Sequence, residues 1–158
     1  MRVAVFFVLL IVFGWPQESS AQGRKLPNIS FEAKTTEYAH ANRAYNDKNQ
    51  YVDTLHDDRI VAALAKILTD NPELVINLVG HTSMAEDTLL GMQRADRVRT
   101  ELIGLGVAAE RLHVINKGFS EPIIGRDVWF KLESKQEREA ADQKNRRVEV
   151  KVAGTTEP

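Results

Sequence analysis

A run of apolar residues at 75–79 (VINLV) lies between two stretches of helical periodicity, and this arrangement limits the folds open to the chain more than any other feature. The run is rich in β-branched residues and is bounded by Pro72 and Gly80, which is typical of a buried strand. Apolar residues repeat at helical spacing over residues 60–68 before it and over residues 88–103 after it. Because strands joined through helices are expected to run parallel, the segment predicts a sheet with helices packed against it.

Three other segments complete the predicted sheet. Residues 29–31 alternate apolar and polar, residues 112–115 are typical of a strand, and residues 147–153 (RVEVKVA) alternate cleanly. The order β-α-β-α-β, an insertion and a last strand predicts an α+β fold. We expect a two-layer sandwich with about four strands in a mixed sheet and helices packed on one face.

The ends of both helices are marked by capping and breaking residues. Asp53 or Thr54 is a suitable N-cap for the first helix, and Asn71 with the proline after it ends that helix. Gly104 and Gly106 are expected to end the second helix. The residues expected on the buried face of the second helix are Leu90, Val98, Leu102 and Leu105.

Two polar stretches leave alternatives open. Residues 35–51 are interpreted as an extended connection with one helical stretch around residues 37–45. Its tyrosines either flank a pocket and stack on sugar rings or pin the connection onto the body of the domain. These tyrosines are Tyr38, Tyr45 and Tyr51.

The mixed charges of residues 131–151 predict a solvated helix face, with a protein-docking surface as the alternative.

The first residues have the pattern of a secretory signal peptide. Residues 3–13 form an unbroken apolar run of 11 residues after a basic start, and a Gly-Trp-Pro sequence breaks it. Small residues at Ser19 and Ala21 predict cleavage after Ala21, so that residues 1–21 are removed. A membrane anchor is the rival interpretation, but a membrane span needs about 20 apolar residues.

Residues 22–158 are expected to form a single exported domain with a core at about residues 29–153. The 21 Lys and Arg against 22 Asp and Glu give a net charge of −1, whereas a dedicated nucleic-acid-binding protein would be clearly basic. The chain has no cysteine, which removes disulfides, thiolate metal sites and a lipid-modified N-terminal cysteine. No apolar run after residue 21 reaches the length of a membrane span.

The sequence contains no set of residues with the pattern of a catalytic, cofactor-binding or metal-binding site. It has neither a glycine-rich phosphate loop nor a Gly-x-Ser-x-Gly turn, and no pair of carboxylates stands out as acid and base. The histidines lack the spacing of a metal-ligand set. We therefore expect a protein that is not an enzyme and needs no cofactor. The four histidines are His40, His56, His81 and His113.

The most informative candidate site spans residues 80–94. A predicted strand ends at Gly80, Thr82 and Ser83 follow in a loop, and a helix carries Arg94 about two turns in. Loops at the carboxyl ends of parallel strands are the usual binding rim of α/β architectures. The two hydroxyls can hydrogen-bond a ligand, and the Arg94 guanidinium suits a carboxylate. The alternative is that the hydroxyls cap a helix and Arg94 is a solvated side chain.

Four motifs follow one another along the chain: LVGHT at residues 78–82, Arg94-Ala95, GFSEP at residues 118–122 and NRRVEV at residues 145–150. In this order, behind a signal-peptide pattern, they resemble the OmpA-like C-terminal domain, a family that anchors envelope proteins to peptidoglycan. The resemblance extends over roughly residues 29–152. The stretch LTDNPE at residues 68–73 also resembles the family's junction between helix and strand.

The resemblance implies a domain that holds the diaminopimelate residue of the peptidoglycan stem peptide without cleaving it. It assigns Arg94 to the ligand carboxylate and implies an Asp for the ligand ammonium group directly after Gly-His-Thr. Ser83 stands at that position here, so Glu86 or Asp87, in a loop about one helical turn shorter than usual, could replace the missing carboxylate. The first strand departs as well, with FEAK at residues 31–34 in place of Phe-Asp-Phe-Asp. The alternative is a degenerate OmpA-like scaffold or protein-interaction module that no longer binds peptidoglycan.

The arginines of the last motif extend the candidate site. Arg146 and Arg147 point to opposite faces of the last strand, so one could reach the ligand while the other pairs with acidic residues. Asn145 is expected to fix the backbone that enters the strand. The resemblance places the domain in the periplasm, with the peptidoglycan stem peptide as partner. A tethering role would need an outer-membrane or envelope protein in trans.

Overall fold

The computed structural model describes residues 26–39, 43–45, 51–53 and 57–155. The predicted signal peptide at residues 1–21 lies outside these ranges, as do the candidate N-cap Thr54 and two histidines, His40 and His56. The described elements, in chain order, are β1 (Ile29–Ser30), β2 (Arg43–Tyr45), β3 (Tyr51–Asp53), α1 (Asp57–Asp70), β4 (Leu74–His81), α2 (Leu89–Gly104), a 3₁₀ turn (Ala109–Arg111), β5 (Leu112–Gly118), α3 (Arg126–Trp129), α4 (Lys135–Asn145) and β6 (Arg147–Thr155).

Four strands form one mixed sheet in the order β1-β6-β4-β5. β4 pairs with β5 in parallel, whereas β6 lies between β1 and β4 and is antiparallel to both. β1 and β4 therefore run in the same direction, as expected for strands that are joined through a helix. β2 and β3 form a separate antiparallel pair. The predicted α+β class with a mixed sheet is confirmed.

Helices α1 and α2 cover the sheet with one apolar core. Side chains alternate along a strand, so Ile76 and Leu78 of β4 point to the same face, where they meet both helices. Val148 and Val150 of β6 join them. The helix residues in this core include Val61, Leu64 and Leu68 of α1 and Ala95, Val98 and Leu102 of α2.

The prediction of a helix over residues 37–45 is wrong at both of its described ends, since Tyr38 forms an antiparallel bridge with Phe31. Arg43–Tyr45 is a strand that pairs with Tyr51–Asp53, with Tyr45 opposite Tyr51. Asp53 therefore belongs to a strand and is not the N-cap of α1, which begins at Asp57. Tyrosine and valine favour strands, and the stretch has no apolar stripe at helical spacing that would bury a helix.

Helix α2 ends as its glycines predict. Gly106 has a φ of 92°, and its N–H donates to the carbonyl of Ile103, while that of Val107 donates to the carbonyl of Leu102. This is a Schellman arrangement, which needs a left-handed residue and so favours glycine. It turns Val107 into the core and leaves Leu105 49% exposed, so the expected burial of Leu105 is wrong.

The charged stretch over residues 131–151 is only partly a solvated helix. α4 begins with a capping box between Ser134 and Glu137, and most of its side chains are exposed. Arg146 and Arg147, at its end, are buried instead. They lie where β6 enters the sheet, and each is held by an acidic side chain.

Helix α2 approaches β4 closely at two glycines. A Cβ on Gly80 would lie 1.8 Å from the carbonyl oxygen of Gly91, and a Cβ on Gly91 would lie 2.6 Å from Oδ1 of Asn116. Only residues without a side chain allow this separation. The close approach brings Arg94, three residues beyond Gly91, over the end of β4.

Candidate functional site

The predicted loop after β4 lies buried at the carboxyl end of the strand. His81, Thr82 and Ser83 are each at most 1% exposed. The N–H of Thr82 donates to the carbonyl of Gly118 at 3.0 Å, so the loop stays joined to the end of β5. The Thr82 hydroxyl is buried and has no hydrogen-bond partner among the described residues.

Arg94 is completely buried, so its interpretation as a solvated side chain is wrong. Its Nε donates to the carbonyl of Thr35 at 3.1 Å, and Nη2 donates to the carbonyl of Glu32 at 3.0 Å. A third bond, of 3.3 Å, runs from Nη1 to the carbonyl of His81. The guanidinium thus joins α2 to the segment after β1 and to the end of β4. It also lies 5.5 Å from the ring centre of Phe31.

Glu86 takes the remaining donors of Arg94 in a bidentate ion pair. Nη2 lies 2.7 Å from Oε1 and Nη1 lies 3.0 Å from Oε2. With the three carbonyls, this accounts for all five N–H groups of a guanidinium. The Arg94 side chain is 0% exposed and that of Glu86 is 2% exposed, so the pair is closed to solvent.

Two backbone amides complete the surroundings of the Glu86 carboxylate. The N–H of Ser83 donates to Oε2 at 2.9 Å, and the N–H of Lys34 donates to Oε1 at 2.8 Å. Burial alone would raise the pKa of Glu86, but the hydrogen bonds from Arg94, Ser83 and Lys34 outweigh it and lower the pKa below its usual value. The arrangement is therefore a four-donor receptor for an ionised carboxylate.

The predicted substitutes for the missing acidic residue lie in different surroundings. Glu86 contacts Arg94, whereas Asp87 is exposed and accepts from the N–H of Leu89 at 2.9 Å. Ser83 takes part through its backbone N–H. The sequence does not reveal the role of Lys34, because Lys34 also acts through its backbone N–H. Its backbone is in the left-handed region, with a φ of 57°.

A cavity of about 360 Å³ adjoins the buried pair. Glu86 is one of its lining residues and Arg94 is not, so the cavity reaches the Glu86 side of the buried pair. Its lining combines apolar side chains with charges of both signs. The lining residues are Lys34, Ala85, Glu86, Asp87, Leu89, Leu90 and Gln93.

Arg147 belongs to a second cluster, around His81. Nη2 of Arg147 donates to Oε1 of Glu149 at 2.5 Å and to the carbonyl of Glu121 at 3.1 Å. Arg146, the C-cap residue of α4, pairs with Glu139 and with Oε1 of Gln143 at 2.9 Å. The prediction that both lie on opposite faces of the last strand is wrong, because β6 begins at Arg147 and both arginines pair with acidic side chains. No hydrogen bond between described residues links either one to the Arg94–Glu86 pair directly.

Burial and charge set the protonation of this second cluster. Burial, with the nearby Arg147 guanidinium, lowers the pKa of His81 to about 4. Burial acts against ionisation of Glu149, but hydrogen bonds from Lys151 and Arg147 lower its pKa to about 2. At neutral pH His81 is therefore uncharged, with Nε2 3.7 Å from Oε2 of Glu149.

Asn145 and Tyr38 each join two separate segments of the chain. The Asn145 side chain donates to the carbonyl of Ile124 at 3.0 Å and accepts from the N–H of Ile124 at 2.9 Å. Its role is structural as predicted, but the backbone it holds is that of Ile124 and not the backbone that enters β6. The Tyr38 hydroxyl donates to Glu101 on α2 at 2.5 Å, and its ring packs against Phe31. For Tyr38 these contacts favour the pinning interpretation over stacking on a sugar.

Among the described residues, no group of three or more His, Asp or Glu side chains could hold a metal ion. No helix in the described part of the chain is long and apolar enough to cross a membrane.

Comparison with solved structures identifies the fold. The peptidoglycan-associated lipoprotein of Burkholderia pseudomallei matches with a TM-score of 0.58 and 18% identity, over 82% of this chain and 90% of that one. The cell wall anchor of the T6SS from Pseudomonas aeruginosa matches at 0.55 and 16%, over 80% and 79%. The OmpA-like domain of FopA1 from Francisella tularensis matches at 0.54 and 15%, over 83% and 73%.

No protein-family model and no curated protein matches the sequence. At these identities the structural matches establish the fold: the chain has the fold of OmpA-like domains.

Proposed function

We propose that the chain is an exported, non-catalytic domain that binds peptidoglycan and links a protein assembly to the cell wall. It holds the diamino acid of the stem peptide without forming a covalent bond. The observation that carries this proposal is the four-donor carboxylate receptor formed by Arg94 with the amides of Ser83 and Lys34. Bidentate guanidinium contacts select planar carboxylates, and buried ones do so most strongly.

The cavity beside the receptor suits the rest of such a ligand. Its volume of about 360 Å³ is that of a small-molecule site. Diaminopimelate carries carboxylates and ammonium groups on an aliphatic chain. Lys34 and Asp87 offer both signs of charge on the cavity walls, and Leu89 and Leu90 offer apolar surface.

The similar structures and the N-terminal pattern support the same location. One of the similar proteins is described as peptidoglycan-associated and another as a cell wall anchor. The signal-peptide pattern of residues 1–21 leads to the periplasm, with residues 22–158 as the exported domain. An outer-membrane or envelope protein in trans would supply the assembly that is anchored.

A second candidate is a scaffold that keeps the fold and no longer binds the wall. The observation that favours it is the internal pairing, because Glu86 already takes both donors that Arg94 would offer to a ligand. The two candidates differ in whether any ligand carboxylate reaches Arg94.

Co-sedimentation of the purified chain with isolated peptidoglycan sacculi tests the proposal. We expect the chain to sediment with sacculi and free meso-diaminopimelate at millimolar concentration to release it. Cadaverine, which has the two amines and no carboxylate, is the matched control and should release none. A chain that stays in the supernatant, or is released equally by both compounds, would contradict binding through the carboxylate receptor.

A further inference from the structure

We infer that Glu86 is a displaceable internal occupant of the Arg94 receptor, and that the loop carrying it is an autoinhibitory latch. The loop comprises residues 84–86. A ligand carboxylate binds by replacing Glu86, and the loop is released as it does so. The inference rests on the proposed function for the identity of the ligand, but the occupancy of the receptor by Glu86 can be tested separately.

Competition follows from the number of donors at the site. Arg94 has three N–H groups on the carbonyls of Glu32, Thr35 and His81, and the other two on Glu86. The amides of Ser83 and Lys34 also point at Glu86. A second carboxylate finds no free donor here, so it can bind only in place of the first.

The loop depends on Glu86 for its anchorage. The hydrogen bonds described for residues 84–87 beyond this carboxylate are local, such as Glu86 N–H to the carbonyl of Ser83 at 3.3 Å and Leu89 N–H to Asp87. Ala85 and Asp87 are exposed. Replacing the Glu86 carboxylate therefore frees residues 84–86, while the carbonyls of Asp87 and Thr88 stay bonded to the first turn of α2.

The exchange leaves no buried charge without a partner. An incoming carboxylate takes over the ion pair with Arg94 and both amides, while Glu86 moves from the cavity wall into water. What opposes binding is the high effective concentration of a carboxylate tethered a few residues from the site. Removing the Glu86 carboxylate should therefore raise the affinity for an external one at least about tenfold.

Two measurements on Glu86→Ala test the latch. The first is thermal unfolding in sodium acetate against sodium chloride at equal ionic strength. Acetate should fill the vacated receptor and raise the melting temperature of the variant by at least about 3 °C over chloride. Wild type, whose receptor is full, should show no such difference. The second measurement is the affinity for sacculi, which should rise at least about tenfold over wild type.

Two further variants serve as controls. Glu110→Ala removes one exposed acidic charge from the 3₁₀ turn before β5, outside the receptor, and should match wild type in both assays. Glu86→Gln keeps the shape of the side chain and loses its charge, so it should give an intermediate affinity. If Glu86→Ala does not fold without acetate, the same two measurements are made on Glu86→Gln and compared with wild type.

The outcomes separate the latch from the proposed function. If acetate stabilises Glu86→Ala no more than chloride does, Glu86 is not an occupant that a carboxylate can replace, and the inference is wrong. If acetate acts as expected but the Glu86 variants bind sacculi no more tightly than a wild type that does bind, the latch is overturned while wall binding stands. If acetate acts as expected and neither protein binds sacculi, the proposed function fails and the internal occupancy stands.

Discussion

Replacing Gly80 by alanine is expected to cost the folded state about 3 kcal/mol or more. The new Cβ would lie 1.8 Å from the carbonyl oxygen of Gly91, which is a backbone atom inside α2 and cannot rotate away. The helix would have to move off β4, and the core between them would open. Because Arg94 follows Gly91 by three residues, the same movement would pull the guanidinium from its partners.

Urea unfolding of Gly80→Ala and Gly104→Ala measures this effect. Gly104 lies at the end of the same helix, and a Cβ there meets nothing within 4 Å. Its replacement should leave stability unchanged or raise it by up to about 1 kcal/mol, since alanine favours helices. Equal midpoints for Gly80→Ala and wild type would show that α2 and β4 do not approach as closely as described.

Replacing Arg94 by lysine is expected to cost about 3 kcal/mol of stability. Lysine keeps the charge but has three donors in place of five and no planar fork. It cannot serve the carbonyls of Glu32 and Thr35 and at the same time both oxygens of Glu86. The carboxylate would remain buried with its strongest partner weakened.

Arg97→Lys is the matched control on the same helix. The Arg97 side chain is 33% exposed, lies over the ring of Tyr38 and pairs with Glu37, whose side chain is 65% exposed. Exposed pairs contribute little, so this change should cost less than about 1 kcal/mol in the same urea titration. Similar losses for the two lysine variants would mean that the burial of Arg94 does not matter for stability.

The periodicity of the sequence was sufficient to predict most of the fold. The β4 run and the alternating β6 run are strands because their apolar residues match a sheet face, and α2 ends at the glycines that its sequence supplies. The errors lie where local pattern is weak. Asp53 has the chemistry of an N-cap, but the backbone there is paired with β2.

The position of the candidate site could be predicted from sequence, but the burial of Arg94 and the hydrogen-bond donors of the site could not. Arg94 was placed by the resemblance, and the loop after β4 by the usual position of binding rims. The burial of Arg94 depends on the approach of Gly91 to Gly80, which no local pattern encodes. The receptor also uses the amide of Lys34, a backbone group that any residue provides, 52 positions away from Glu86.

An NMR titration of wild type with free meso-diaminopimelate tests most directly whether the Arg94 site is a carboxylate receptor from which a ligand displaces Glu86. The signals to follow are the backbone amides of Ser83 and Lys34 and the Nε–H of Arg94. We expect all three to shift together with one dissociation constant, and cadaverine to leave them unchanged. Shifts confined to other residues, or no response from these three at saturating ligand, would contradict a receptor that exchanges its own carboxylate for that of the cell wall.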